Sequence, residues 1–175
     1  MPRILVLFLA LLFSLSLTSH AASIYLKIAG VEGGASASDY VGWCEVESVG
    51  ELFSVPTSSS ESGASGAAEL QPVYVHKFLD EATPYLHEFV ASQNTIERVQ
   101  LAFTQISSEG KQEEFFTITM ETVRVVSVAL SQDEDSGDVP IETVGFSPLV
   151  ITWKNLEGNI ETSYTTSKGL TSRKQ

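Results

Sequence analysis

Apolar residues in this chain recur at every second position, and that period restricts the fold more than any other feature. Val73, Val75 and Lys77 alternate against Tyr74, His76 and Phe78. Val99, Leu101 and Phe103 alternate with Gln100, Ala102 and Thr104, and Phe116, Ile118 and Met120 with Thr117, Thr119 and Glu121. A period of two places successive side chains on opposite faces of a strand, so each run reads as a strand with one buried face. Ile24–Ile28, 41–55 (one strand or two, bent near Gly50), 142–153 and 159–165 read as strands too. Val123 to Leu130 is a nearly continuous β-branched run and predicts a strand covered on both faces. Glu109-Gly110 falls in a turn.

One segment has helical spacing. Leu86, Phe89 and Val90 share a face, Pro84 suits a first helical position, and Thr83 is the expected N-cap. The helix should stop near Ser92 to Asn94. About eight strands with a single short helix predict a mainly β, antiparallel barrel or sandwich, and exclude a doubly wound fold.

Residues 54–71 differ in kind. They are Ser, Gly and Ala with Pro56 and almost no bulky side chain, and should form a long mobile loop. Residues 131–140 form an acidic loop. Residues 167–175 are polar and basic-ended, and are expected to be a frayed, flexible tail.

The amino terminus reads as a secretory leader. Arg3 precedes an apolar run from Ile4 to Leu17, and Ser19 and Ala21 are the small residues a signal peptidase reads. The domain expectation is therefore a leader at 1–21, a β-domain at 22–166 and the tail at 167–175. The run is short for a membrane span, so no stable membrane insertion is expected once the leader is cut after Ala21; a retained anchor is the alternative. The product would be secreted or periplasmic.

Charge and chemistry narrow the function. Without the leader, nine Lys and Arg face 22 Asp and Glu, a net charge of −13 that repels phosphate backbones and argues against nucleic acid. Cys44 is the only cysteine, so no intrachain disulfide forms, and it reads as a small buried hydrophobe. One Cys and three scattered His do not assemble a zinc site. The Asp133–Asp138 run fails calcium-loop spacing, because Val144 stands where the last carboxylate belongs. There is no Gly-x-Ser-x-Gly and no phosphate-cradling glycine loop. His76 and His87 show no clear catalytic partner, and Glu113 and Glu114 point to opposite strand faces. No catalytic, cofactor or metal residues are expected.

Several runs, in order, resemble the Hcp family, the haemolysin-coregulated tube proteins of type VI secretion. Ile24–Ile28 followed by Gly30-Val31-Glu32-Gly33 resembles the family's start, and Gly42-Trp43-Cys44-Glu45-Val46-Glu47-Ser48 its next strand. His76-Lys77-Phe78-Leu79-Asp80-Glu81-Ala82-Thr83-Pro84 is similar to the family segment His-Lys-x-x-Asp-x-Ala-Thr-Pro that enters its helix. Val123–Val128, Pro140–Phe146 and Ile151-Thr152-Trp153 resemble later strands. The resemblance implies an antiparallel two-sheet β-barrel with one short α-helix and no enzymatic activity. It implies a homohexameric ring that stacks into a tube, with spike, sheath and effector proteins as partners. It also implies an assembly loop containing Ser54, Ser58, Gly63, Gly66 and Gln71. The leader departs from the family, whose members load inside a cytoplasmic sheath. A monomeric exported β-domain that binds a ligand or surface is the competing expectation.

Overall fold

A computed structural model describes residues 22–55, 67–131 and 140–166, and the backbone of 169–174. The elements in chain order are β1 (Ser23–Ile28), a 3-10 turn (Ser38–Tyr40), β2 (Cys44–Gly50), β3 (Phe53–Ser54), β4 (Glu69–Leu70), β5 (Val73–Phe78), α1 (Thr83–Ser92), β6 (Thr95–Ile106), β7 (Gln112–Ser131), β8 (Ile141–Asn155), β9 (Ile160–Thr165) and β10 (Gly169–Lys174).

All pairings are antiparallel, in the order β10-β9-β8-β5-β2-β1-β6-β7, and β7 also pairs β8. That last pairing closes β8-β5-β2-β1-β6-β7 into a six-stranded barrel, which removes the edges of those strands. The expected mainly β barrel with one short helix is borne out, its hydrogen bonding running unbroken around the wall. On the edge away from β7, β8 serves two neighbours in turn: Ile141–Phe146 pairs β5, and Val150–Asn155 pairs β9. Pro148, which has no N–H to donate, sits between the two stretches. β9 and β10 extend the sheet beyond the barrel.

The core follows the period of two. Leu26, Val75, Val99, Leu101, Met120, Val144, Phe146 and Ile151 are fully buried inside, and Leu86 of α1 plugs the same core. The alternation breaks at one level. Val99, Met120 and Ile151 stand in register facing in, as do Ile96, Val123 and Pro148, and the residues between them do not. Glu97-Arg98 and Glu121-Thr122 face solvent, and Arg98 Nη2 lies 3.3 Å from Glu121 Oε1. Two outward positions in succession bend the sheet, and Thr122 takes a left-handed φ of 50° there. A β-branched residue rarely adopts that conformation.

Three expectations are corrected. Val123–Leu130 is not covered on both faces: it is the second half of the 20-residue β7, with Val126 46% and Leu130 56% exposed. The register shifts between Val125 and Ser127, so Val126 is a bulge residue with no partner across β8. Thr83 is not the N-cap. Ala82 is already helical in φ and ψ, no side chain caps the helix, and Thr83 is its first residue, with Pro84 in the first turn as expected. The helix ends at Gln93, which takes a left-handed φ of 57° and donates its N–H to the Phe89 carbonyl. Finally, most of the tail is not frayed in backbone terms. Gly169–Lys174 pairs with β9, because β9 offers its second edge beyond the barrel.

Candidate functional site

The His-Lys-x-x-Asp-x-Ala-Thr-Pro segment becomes a buried charge cluster at the junction of β5 and α1. Strand phase turns Lys77 inward with Val73 and Val75, and places Glu142 of β8 directly opposite it. Both side chains are fully buried. Lys77 Nζ donates to Glu142 Oε1 at 2.6 Å, to Asp80 Oδ1 at 2.7 Å and to the Phe78 carbonyl at 2.7 Å. That uses all three ammonium protons. Thr83 Oγ1 donates to Glu142 Oε1 at 2.8 Å and accepts the Asp80 N–H at 3.1 Å. Asp80 accepts from the backbone N–H of Ala82 and of Gly34. Burial alone would lower the pKa of Lys77, but its hydrogen bonds to Asp80 and Glu142 prevail and raise it. Burial alone would raise the pKa of Asp80; the ammonium of Lys77, bonded to it, holds it below the ordinary value instead.

The cluster cannot do acid–base chemistry on a substrate, because the ammonium and the glutamate are sealed from solvent. Its work is to tie β5, β8 and the start of α1 together. Cys44 is buried beside it, as expected, with its thiol pushed up by burial and then by the Asp80 carboxylate. Gly33 is needed there, since a Cβ at that position would come within 2.5 Å of the Cys44 sulfur. Glu142 Oε2 is buried with no partner among the described residues.

Outside the barrel wall, the β1–β2 connection builds a second cluster. The Tyr25 and Tyr40 rings stack at 3.9 Å, and Trp43 meets Tyr40 edge-on at 5.3 Å. Tyr40 donates to Glu114 Oε1, and its pKa is raised by burial and then by that carboxylate. Gly42 takes φ of 74°, and its carbonyl accepts from Lys27 Nζ at 2.8 Å and from the Gly33 N–H. Gly42 and Trp43 therefore hold a packed outer loop, separate from the Lys77 cluster. His76 faces outward, its Nδ1 hydrogen-bonded to Thr143 Oγ1 at 3.0 Å.

The expected assembly loop divides. Ser58, Gly63 and Gly66 lie outside the described residues, as does the Asp133–Asp138 run. Ser54 and Gln71 are exposed and stand at a two-stranded base: Phe53↔Leu70 and Ser54↔Glu69 pair, and Gln71 N–H donates to the Leu52 carbonyl. This base is anchored within the protomer. Phe53 packs on Tyr164 at 4.8 Å and Trp153 at 5.8 Å, and Tyr164 Oη donates to the Ala68 carbonyl. Trp153 Nε1 in turn donates to the Glu51 carboxylate at 2.9 Å.

Large apolar side chains remain uncovered. Leu52 is 59%, Phe53 41% and Val55 43% exposed at the loop base, and Tyr74 is 41% and Val126 46% exposed on the outer wall. Gly145 separates the last two, and a Cβ there would come within 2.6 Å of Ser127 Oγ and 3.1 Å of Tyr74. The sequence reading missed this patch and missed Glu142. The signal for Glu142 was its phase: it shares the inward positions of Val144 and Phe146. Among the described residues there is no group of three potential metal ligands and no helix long and apolar enough to cross a membrane.

The family model described as "Type VI secretion system effector, Hcp" matches residues 25–154. The Major exported protein of Pseudomonas aeruginosa is 25% identical over 104 residues; that alignment covers 57% of this chain and 60% of the relative, so less than two thirds of it is spanned. The solved Hcp1 of E. coli EAEC 042 superposes with a TM-score of 0.74 at 25% identity, over 84% of this chain and 99% of that one. Hcp1 of Salmonella typhimurium gives 0.72 at 21% identity, over 86% and 98%. The secreted protein Hcp3 of Pseudomonas aeruginosa gives 0.66 at 19%, over 83% and 98%.

Proposed function

Because this chain belongs to the Hcp family, the tube and effector proteins of type VI secretion, we propose that it is a non-enzymatic, self-assembling ring subunit exported by its own leader. The ring is a homohexamer able to stack. Its contacts are heterologous, one face of each subunit on a different face of the next. The observation that carries this reading is the uncovered apolar surface. Tyr74 and Val126 on the wall, with Leu52, Phe53 and Val55 at the loop base, are large apolar side chains that a neighbouring subunit would cover. The buried cluster supports the non-enzymatic reading, because its Lys77 ammonium and Glu142 carboxylate are closed to substrate. Spike, sheath and effector partners belong to the same proposal. Secretion or release to the periplasm rests on the Arg3, Ile4–Leu17, Ser19-x-Ala21 pattern, and the exported relative supports it.

Mass in solution tests assembly. Light scattering of the processed chain across a salt series should show an oligomer that strengthens as salt rises, since like-charged subunits repel and that repulsion is screened beyond about 8 Å at physiological ionic strength. Deleting Ser58–Ala67 should leave the barrel intact, its base being held by Phe53, Trp153 and Tyr164, and should weaken the oligomer. A chain that stays monomeric at every salt and at high concentration overturns the ring and favours the monomeric exported domain.

A further inference from the structure

Two strand edges of the eight-stranded sheet lack a neighbour among the described residues, and they carry opposite charge. The first is on β2. This strand pairs β5 over residues 46–50 but pairs β1 only over residues 44–46. β1 opens at Ser23, so residues 48–50 of β2 have no described strand beside them on that side. Glu45 and Glu47 flank this edge. Both are exposed, and neither takes part in an ion pair among the described residues. A cleft of about 310 Å³ opens here, with Ser23, Glu45, Glu47 and Phe78 in its walls. It has room for a long cationic side chain, with Phe78 for the stem and two carboxylates for the head. Gly50 leaves the end of the edge clear, since a Cβ there would meet nothing closer than 4.0 Å. Across β5, Gly50 is in register with Tyr74, one of the uncovered side chains of the wall.

The second edge is on β10, which pairs β9 on one side and ends the sheet on the other. Its segment is basic: Lys168, Arg173 and Lys174 are three of the nine Lys and Arg that follow the leader. An unpaired edge presents a row of N–H and C=O groups that another strand can take up. Like edges meeting would set Lys and Arg against Lys and Arg, or Glu against Glu, and such pairings are disfavoured. The unlike pairing brings opposite charges together. We infer that β10 of one copy adds its outer edge to residues 48–50 of β2 in the next copy, with the basic tail set against Glu45 and Glu47. β10 keeps its pairing to β9, because the two contacts use opposite edges of one strand. The contact is heterologous: each copy gives a tail and receives one, as a ring requires. It rests on the self-assembly reading and names the surfaces that meet.

The test is complementation between two variants of the processed chain, read by sedimentation. One variant ends at Thr166, so it lacks β10 and keeps the acidic edge. The other carries Glu45→Lys and Glu47→Lys and keeps its tail. Both should retain the β-sheet circular dichroism signal, since β10 lies outside the closed barrel and both glutamates are exposed. Each alone should self-associate at least about tenfold more weakly than wild type. Mixed one to one, they should associate again and stop at dimers, because such a pair holds one complete contact and one broken one. Adding Arg173→Glu and Lys174→Glu to the lysine variant should restore self-association to within about threefold of wild type, the charges being exchanged rather than lost. A mixture that stays monomeric overturns the contact, as does a charge-exchanged chain that stays weak. Wild type that associates while neither variant is weakened overturns the contact and leaves the ring standing. Wild type that is monomeric at every concentration overturns the self-assembly reading, and the contact with it.

Discussion

Replacing Lys77 with Met should be among the most damaging single changes in the barrel. Met has nearly the volume and flexibility of the lysine stem but supplies no donor. Three contacts of 2.6–2.7 Å disappear, and Glu142, fully buried, retains only the Thr83 hydroxyl. Removing one partner of a buried ion pair costs about 3–5 kcal/mol, because the other charge is left without compensation. Asp80 suffers less: its side chain is 11% exposed and keeps the backbone donors of Ala82 and Gly34. The cost should therefore fall on Glu142, and removing that second charge should recover much of it. The double variant Lys77→Met, Glu142→Leu is expected within about 1–2 kcal/mol of wild type, since well-packed apolar replacements of buried ion pairs are often near neutral. Urea denaturation of wild type, both single variants and the double variant closes the cycle, with an expected coupling of about 2 kcal/mol or more. If Lys77→Met lowers stability by less than 1 kcal/mol, or the double variant is as weak as the worse single one, the cluster does not hold β5 to β8 as argued.

Three further outcomes are expected. Thr122→Asn should raise stability by about 0.5–1 kcal/mol, because Asn tolerates the left-handed region better than a β-branched residue and Thr122 is exposed; a lower denaturation midpoint would refute the strain argument. Leu86→Ala should cost about 2–5 kcal/mol and Phe89→Ala less than a fully buried Phe would, since Leu86 is sealed in the core and Phe89 only half-buried; equal or reversed losses would show that α1 docks otherwise. Stability should fall in acid through Asp80: its folded pKa is below the unfolded value of about 3.9, so its contribution is present above that value and fades as pH drops through the folded one. At the alkaline end the raised Lys77 contributes below its unfolded pKa and is lost only above about 10.5; because Asp80 is one of the two carboxylates that raise Lys77, Asp80→Asn should flatten the acid limb and weaken the alkaline one as well, and an unchanged acid limb would place the titration elsewhere.

Local pattern alone determined the strands, the single helix face and the inward set of the barrel, because side-chain period is a property of consecutive residues. Lys77 and Glu142 each lie in phase with apolar neighbours, a signal that went unused for Glu142. The order of the His76–Pro84 segment and its neighbours was enough to place the chain in its family. Tertiary structure decided the rest. That Lys77 faces Glu142 depends on β5 pairing with β8 at a separation of 65 residues, which no local period encodes. Thr83 reads as a helix cap from its neighbours, but the partner that claims its hydroxyl lies on β8. The β-branched run from Val123 looks covered on both faces, yet whether a strand is covered depends on what lies over it, and nothing described covers Val126. Gly169–Lys174 look polar enough to fray, but a free edge on β9 gives their backbone somewhere to pair. In each case the physical reason is the same: a side chain's type limits which environments it tolerates, and only the closure of the sheet determines which of them it meets.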